Sequence, residues 1–261
     1  MLRLTPAAAF TSRNSSAPAG VSTSRNTVVF INRKNSTCRV VFLILICLSY
    51  FHNTYSQKMS EKTYGYLALG DSYTIGESVP GNQNFPSQAI ELLRKNGHSF
   101  NDAMIIAKTG WTTDELQEGI SNAALNGQYD FVSLLIGVNN QYRGKSLEEY
   151  ANEFDELLKK AIGFAGNKAT HVIVLSIPDW GVTPYAKERN RQKIASDIDA
   201  FNQVNKSISD RYKVNYIDIT EGTREAATDL SLLTDDELHP SGKEYKRWAE
   251  KLAAIIQLQL K

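Results

Sequence analysis

Tyr66-Leu67-Ala68-Leu69-Gly70-Asp71-Ser72-Tyr73 is an apolar run that breaks abruptly into a small, polar turn. The run has the composition of a buried strand, and the serine sits where such a strand would hand over to a helix. A serine hydroxyl is a weak nucleophile at neutral pH. It becomes competent when an imidazole takes its proton and a carboxylate orients that imidazole. Near the far end, Asp236-Glu237-Leu238-His239-Pro240 supplies both groups, three residues apart, and Pro240 restricts His239 to an extended backbone. Ser72 also fits a helix N-cap, and the Asp236/His239 pair also fits a loop ion pair.

Working outward from residue 66, apolar runs alternate with amphipathic stretches. Strand-like runs cover 64–69, 103–107, 131–136, 171–177 and 214–219. One helical stripe runs through Leu147, Tyr150, Ala151, Phe154, Leu157, Leu158 and Ala161 at three/four spacing. Others run through Ile194, Ile198, Phe201, Val204 and Ile208, and through Tyr245, Trp248, Leu252 and Ile255. Thr112-x-x-Glu115 and Ser241-x-x-Glu244 read as capping boxes opening two helices. Strands that are apolar throughout, separated by helices, predict a three-layer α/β/α sandwich with a parallel five-stranded sheet covered on both faces. In such sheets ligands bind beyond the carboxyl ends of the strands. That rule gathers Ser72, Gly110, Asn139, the segment Pro178-Asp179-Trp180-Gly181, and Asp236 with His239 along one edge.

The first 56 residues read differently from the rest. They hold six basic residues and no acidic ones, and an unbroken apolar stretch from Val40 to Leu48 precedes Thr54-Tyr55-Ser56. A basic flank, a short apolar segment and small residues before Gln57 predict a secretory leader cleaved after Ser56, hence a secreted or periplasmic domain over 57–261. A Ser- and Arg-rich transit peptide, or a start at Met59 in the cytoplasm, are the alternative readings. Both cysteines, Cys38 and Cys47, fall within the leader. Of the chain's 29 basic residues, the six in the leader leave 23 against 28 acidic ones, a net charge of −5 for the domain. That balance argues against nucleic acid or an anionic membrane as the main partner. The run from Lys187 to Lys193 reads as a solvated helix face.

These blocks together resemble the SGNH (GDSL) hydrolases, named for four motif residues. Here they are Ser72 in Leu69-Gly70-Asp71-Ser72, Gly110 in Lys108-Thr109-Gly110-Trp111, Asn139 in Gly137-Val138-Asn139-Asn140, and His239. The resemblance covers 64–258 and implies a flavodoxin-like fold. It further implies Ser72 as nucleophile, His239 as general base and Asp236 as its orienting acid. The oxyanion donors would be the Ser72 and Gly110 N–H groups and the Asn139 amide. Gly110 would be needed for its missing side chain, which lets the backbone approach the reacting carbonyl. Asn140 departs from the family, whose third block usually ends in Asp. No Gly-x-Ser-x-Gly elbow of the α/β-hydrolases occurs.

Asp71, Trp111, Asn140 and Trp180 are the candidate substrate contacts, with Tyr142 and Tyr185 beside them at the same edge. Asp235 is the rival of Asp236. His98 and His171 offer no second base. The histidines are not paired at metal-ligand spacing, and no phosphate loop appears, so neither metal nor cofactor is implied. The expected activity is hydrolysis of carboxylic esters: short acyl esters, O-acetylated glycans or lysophospholipids. A thioesterase or acyltransferase of the same fold, or an inactive sugar- or lipid-binding descendant, are the competing classes. No stable membrane span is expected once the leader is removed, and the sequence does not address oligomeric state.

Overall fold

The computed structural model describes residues 62–260 except 124 and 126. The leader reading and the boundary at residue 57 lie outside the described residues. Five parallel strands form one sheet in the order β2-β1-β3-β4-β5, with β1 Tyr66–Asp71, β2 Met104–Lys108, β3 Phe131–Leu135, β4 Val172–Leu175 and β5 Asn215–Ile217. This is the flavodoxin-like order, with its switch point where β1 lies between β2 and β3.

Among the described residues eight α-helices are numbered in chain order, the first seven being α1 Ser72–Ile75, α2 Phe85–Lys95, α3 Thr113–Asn122, α4 Val138–Tyr142, α5 Leu147–Phe164, α6 Arg191–Tyr212 and α7 Thr220–Arg224. The last helix, α8, covers Gly242–Gln259. Helices α2 and α8 pack together on one face, with the Phe85 and Trp248 rings 6.0 Å apart. Helices α3, α5 and α6 form the opposite layer. Most of each stripe is buried as the spacing predicted, Tyr150, Phe154, Leu157, Leu158 and Ala161 in α5 and Ile194, Ile198, Phe201 and Ile208 in α6, whereas Leu147 at the start of α5 is exposed and Ala151 and Val204 are half-buried.

Complete burial on both faces holds only for the inner strands. All of β1, β3 and β4 is buried, whereas β2 is half-exposed along its length and Met104 is 46% accessible. Both β2 and β5 are edges, where one side has no neighbouring strand. The basic run also differs from expectation: its residues are exposed, but α6 starts only at Arg191, capped by Asn190, so Lys187–Arg189 form the preceding turn.

One predicted capping box forms and one does not. The Glu115 carboxylate accepts the Thr112 N–H at 2.9 Å. Glu244 does not return to Ser241. It is buried, accepting the Trp248 indole N–H at 2.8 Å and pairing with Arg247 at 2.9 Å. An indole N–H inside the core needs a partner, and that need outweighs a helix-end contact.

Candidate active site

The connection from β1 to α1 decides where Ser72 points. Asp71, not Ser72, is the N-cap: its Oδ1 accepts the Tyr73 N–H at 3.0 Å. Ser72 is the first helical residue, whose N–H has no partner within the helix. The turn is tight. A Cβ on Gly70 would lie 2.1 Å from Thr74 Oγ1 and 2.5 Å from Leu135 O, so no larger residue fits there.

Ser72 Oγ lies 2.9 Å from His239 Nε2, and His239 Nδ1 lies 2.7 Å from Asp236 Oδ2. Two segments 167 residues apart are thus joined by one hydrogen bond. Asp235 makes no such contact among the described residues; it is Asp236 that reaches the ring. The Asp236 Oδ1 accepts the Thr234 hydroxyl and the Leu238 and His239 N–H groups at 2.7, 2.9 and 2.8 Å. This dense set of donors, opposed by partial burial, holds its carboxyl well below the usual carboxylate range. The Tyr73 ring stands 5.0 Å from the imidazole and walls its other side. His98 and His171 are remote from this group. The His171 ring stacks on Phe131, at the opposite end of the sheet.

Asn139 lies in α4, following β3. Its Nδ2 donates to Trp111 O at 3.0 Å and, by a long contact of 3.4 Å, to Asp71 Oδ2. Gly110 has φ +84°, a conformation glycine adopts freely. A Cβ placed on it would meet a single neighbour, an Arg143 nitrogen at 3.6 Å, so backbone conformation rather than space requires the glycine. Arg143 donates to Gly110 O at 2.5 Å and orients that peptide, a role no sequence motif announced.

Two expected substrate contacts, Asp71 and Asn140, turn inward instead, and a third, Trp111, is half-buried. Asp71 is wholly buried beneath Asn139, because the last residue of a central strand faces the core here. Asn140 is also fully buried: its Oδ1 accepts the Thr113 N–H at 3.1 Å and its Nδ2 donates to Thr113 Oγ1 at 2.6 Å. Thr113 in turn donates to Glu153. An aspartate at 140 would place a second carboxylate across Thr113 from Glu153, so the amide suits this chain. The Trp111 ring packs on Gly119, whose added Cβ would meet it at 2.1 Å.

Trp180, by contrast, lines the cavity at Ser72. That cavity holds about 100 Å³ and is walled by Tyr73, Val138, Tyr142, Tyr185 and Leu238 beside Ser72, Asn139 and His239. Trp180 Nε1 donates to Gln141 at 2.8 Å, and its turn is held by Asp179, which pairs with Arg224 at 2.9 Å. Tyr142 and Tyr185 are 44% and 47% exposed and form the rim. A larger groove, about 600 Å³, runs between α5 and α6 on the outer helical layer, and no histidine lines it.

The sequence matches the profile of the GDSL-like Lipase/Acylhydrolase family over residues 68–247, which encloses every residue just described. The chain belongs to this family. It is therefore a carboxylic ester hydrolase. No curated protein matches it by sequence. Solved structures with the same fold include TesA, at 16% identity and a TM-score of 0.59 over 75% of this chain and 98% of that one. The psychrotrophic esterase EstA from Pseudoalteromonas sp. gives 15% and 0.58 over 76% and 98%. The acetylxylan esterase Axe2 from Geobacillus stearothermophilus gives 17% and 0.58 over 76% and 96%. The family's third block is thus carried here with its final carboxylate exchanged for the buried Asn140 amide.

Burial raises the Asp71 carboxyl to about 7, despite the Tyr73 and Asn139 donors that favour its ionised form. A carboxyl raised on folding contributes stability that is complete below the ordinary carboxylate range and is lost as pH climbs through about 7. Replacing Asp71 with Asn removes this ionisation. Between pH 5 and pH 8.5 the wild type is expected to lose on the order of 2–4 kcal/mol of stability relative to this variant. Paired urea titrations at both pH values check this, and equal pH dependence in the two proteins would contradict it.

Proposed function

We propose that this hydrolase cleaves esters of short acyl chains through an acyl-enzyme on Ser72. The Ser72–His239–Asp236 relay, opening into a cavity of only about 100 Å³, is the observation that carries the reading. His239 Nε2 takes the Ser72 proton as Oγ attacks the acyl carbon. The same nitrogen then gives the proton to the departing alcohol oxygen. Water, deprotonated by the same imidazole, attacks the acyl-enzyme and releases the acid and Ser72.

Negative charge developing on the carbonyl oxygen would be met by the Ser72 and Gly110 N–H groups and by Asn139 Nδ2. Asn139 has two N–H bonds to give. The short one to Trp111 O fixes the amide, and the long one to Asp71 is the one exchanged for the oxyanion. The exchange gives up little in the resting state and gains much in the transition state.

A cavity of this size has room for only a handful of waters, which suits an acyl chain of a few carbons better than a fatty acyl tail. Beyond it, the half-exposed Tyr142 and Tyr185 rings on the rim offer apolar faces with polar edges, a surface on which a sugar ring can stack. This favours O-acetylated saccharides as the alcohol side, in keeping with the acetylxylan esterases among the proteins of similar fold. Among the described residues no helix is long and apolar enough to cross a membrane.

A series of p-nitrophenyl esters from acetate to octanoate, run beside acetylated xylo-oligosaccharides, tests the reading. The expected result is a kcat/KM that peaks at two to four carbons and falls at least about tenfold by eight, one methylene more or less in an apolar pocket being worth about 1–3 kcal/mol. Preference for the octanoate would refute it.

A further inference from the structure

The loop that follows the nucleophile also reaches the acid of the relay. Gly76 O accepts the Val79 N–H at 3.2 Å, closing a turn with Glu77 and Ser78 at its centre. Ser78 has φ +65°, at the position of such a turn where glycine sits without strain. Four described non-glycine residues have positive φ. Asn167 and Lys213 close the ends of helices, where left-handed residues are common. The other two, Ser78 and Glu237, stand on either side of Asp236.

Ser78 Oγ donates to Asp236 Oδ2 at 2.7 Å, and this is the same oxygen that accepts His239 Nδ1–H at 2.7 Å. The donors to Oδ1 all come from the acid's own loop, Thr234, Leu238 and His239. Among the described residues, Ser78 is the donor that reaches Asp236 from another part of the chain. It stands six residues after Ser72, so its hydrogen bond ties the nucleophile's segment to the acid's.

Resting on the assignment of Ser72, His239 and Asp236 above, we propose that Ser78 is a positioning residue for ester hydrolysis: its hydroxyl fixes the rotation of the Asp236 carboxylate and the registry of the acid loop against Ser72. The strained backbone at Ser78 is then explained, since a glycine would relax the turn but lose the hydroxyl. Ser78 touches neither substrate nor the reacting atoms, and acts through Asp236 alone.

Ser78→Gly separates the two contributions, because it removes the hydroxyl while relieving the strain. Ser78→Ala removes the hydroxyl and keeps the strain. Both variants are expected to lose about 3- to 10-fold in kcat on p-nitrophenyl acetate with KM unchanged, the range of a single hydrogen bond. Thermal unfolding should place Ser78→Gly at or above the wild type and Ser78→Ala at or below it. Wild-type kcat in Ser78→Gly, or a loss confined to KM, overturns the proposal. Ser72→Ala is measured in parallel. If it keeps its turnover, the relay assignment fails, whereas an inactive Ser72→Ala beside a fully active Ser78→Gly sinks the Ser78 role alone.

Discussion

His239→Ala is expected to lower kcat on p-nitrophenyl acetate by about 10⁴- to 10⁶-fold, and Ser72→Ala by a similar factor, the scale seen when nucleophile and base act as one unit. The reason is geometric. His239 Nε2 is the group within hydrogen-bond reach of Ser72 Oγ, at 2.9 Å, and neither His98 nor His171 lies near enough to replace it. In the proposed mechanism the two residues serve one proton transfer, so their losses should not add. The double variant should fall no further than either single one, within about threefold, since the residual rate belongs to the oxyanion donors and substrate binding. Asp236→Asn should cost less, about 10⁴-fold, because an amide in place of the carboxylate stabilises the wrong imidazole tautomer. Initial rates of the four variants at saturating substrate check this. Losses that multiply in the double variant would mean that Ser72 and His239 act independently.

Asn139→Ala is expected to lower kcat about 10²- to 10³-fold with KM nearly unchanged, because its Nδ2 is offered to charge that exists only in the transition state. Asn139→Asp should be at least as damaging. It replaces a donor with an acceptor and sets a second carboxyl against Asp71, whose own Oδ2 now faces the Asn139 amide. The buried support for Asn139 makes a further discrimination available. Asp71→Asn keeps an acceptor for the Tyr73 N–H but can turn an amide donor toward Asn139 Nδ2. The kcat loss in that variant should therefore resemble a weakened Asn139 rather than a collapsed fold, consistent with the steadier stability expected for it. Steady-state kcat and KM, with circular dichroism to verify folding, decide the matter. A loss appearing in KM alone would assign Asn139 to ground-state binding.

Much of this could be read from residue order and spacing. Five apolar runs, three amphipathic stripes and the placement of Ser72, Gly110, Asn139 and His239 after the first, second, third and fifth strands were enough to set the layers and the edge. They were enough because strand period, helix period and connection rules are local or topological. The directions of individual side chains were not legible. Asp71 and Asn140 adjoin motif residues, yet each turns into the protein, and adjacency in sequence says nothing about which side of a turn faces solvent. The lost Ser241–Glu244 box is of the same kind: a local signal overridden by the Trp248 indole, whose need appears only once α8 is packed. Ser78 and Arg143 were invisible for another reason. Their partners, Asp236 and Gly110, are 158 and 33 residues away, and no spacing rule links them.

The most direct test is to react the purified protein with a fluorophosphonate and locate the adduct by peptide mass spectrometry. The account predicts one modified residue, Ser72, with labelling abolished in Ser72→Ala and slowed by orders of magnitude in His239→Ala. An active enzyme whose adduct sits on another serine, or that hydrolyses esters while Ser72 stays unlabelled, would contradict it.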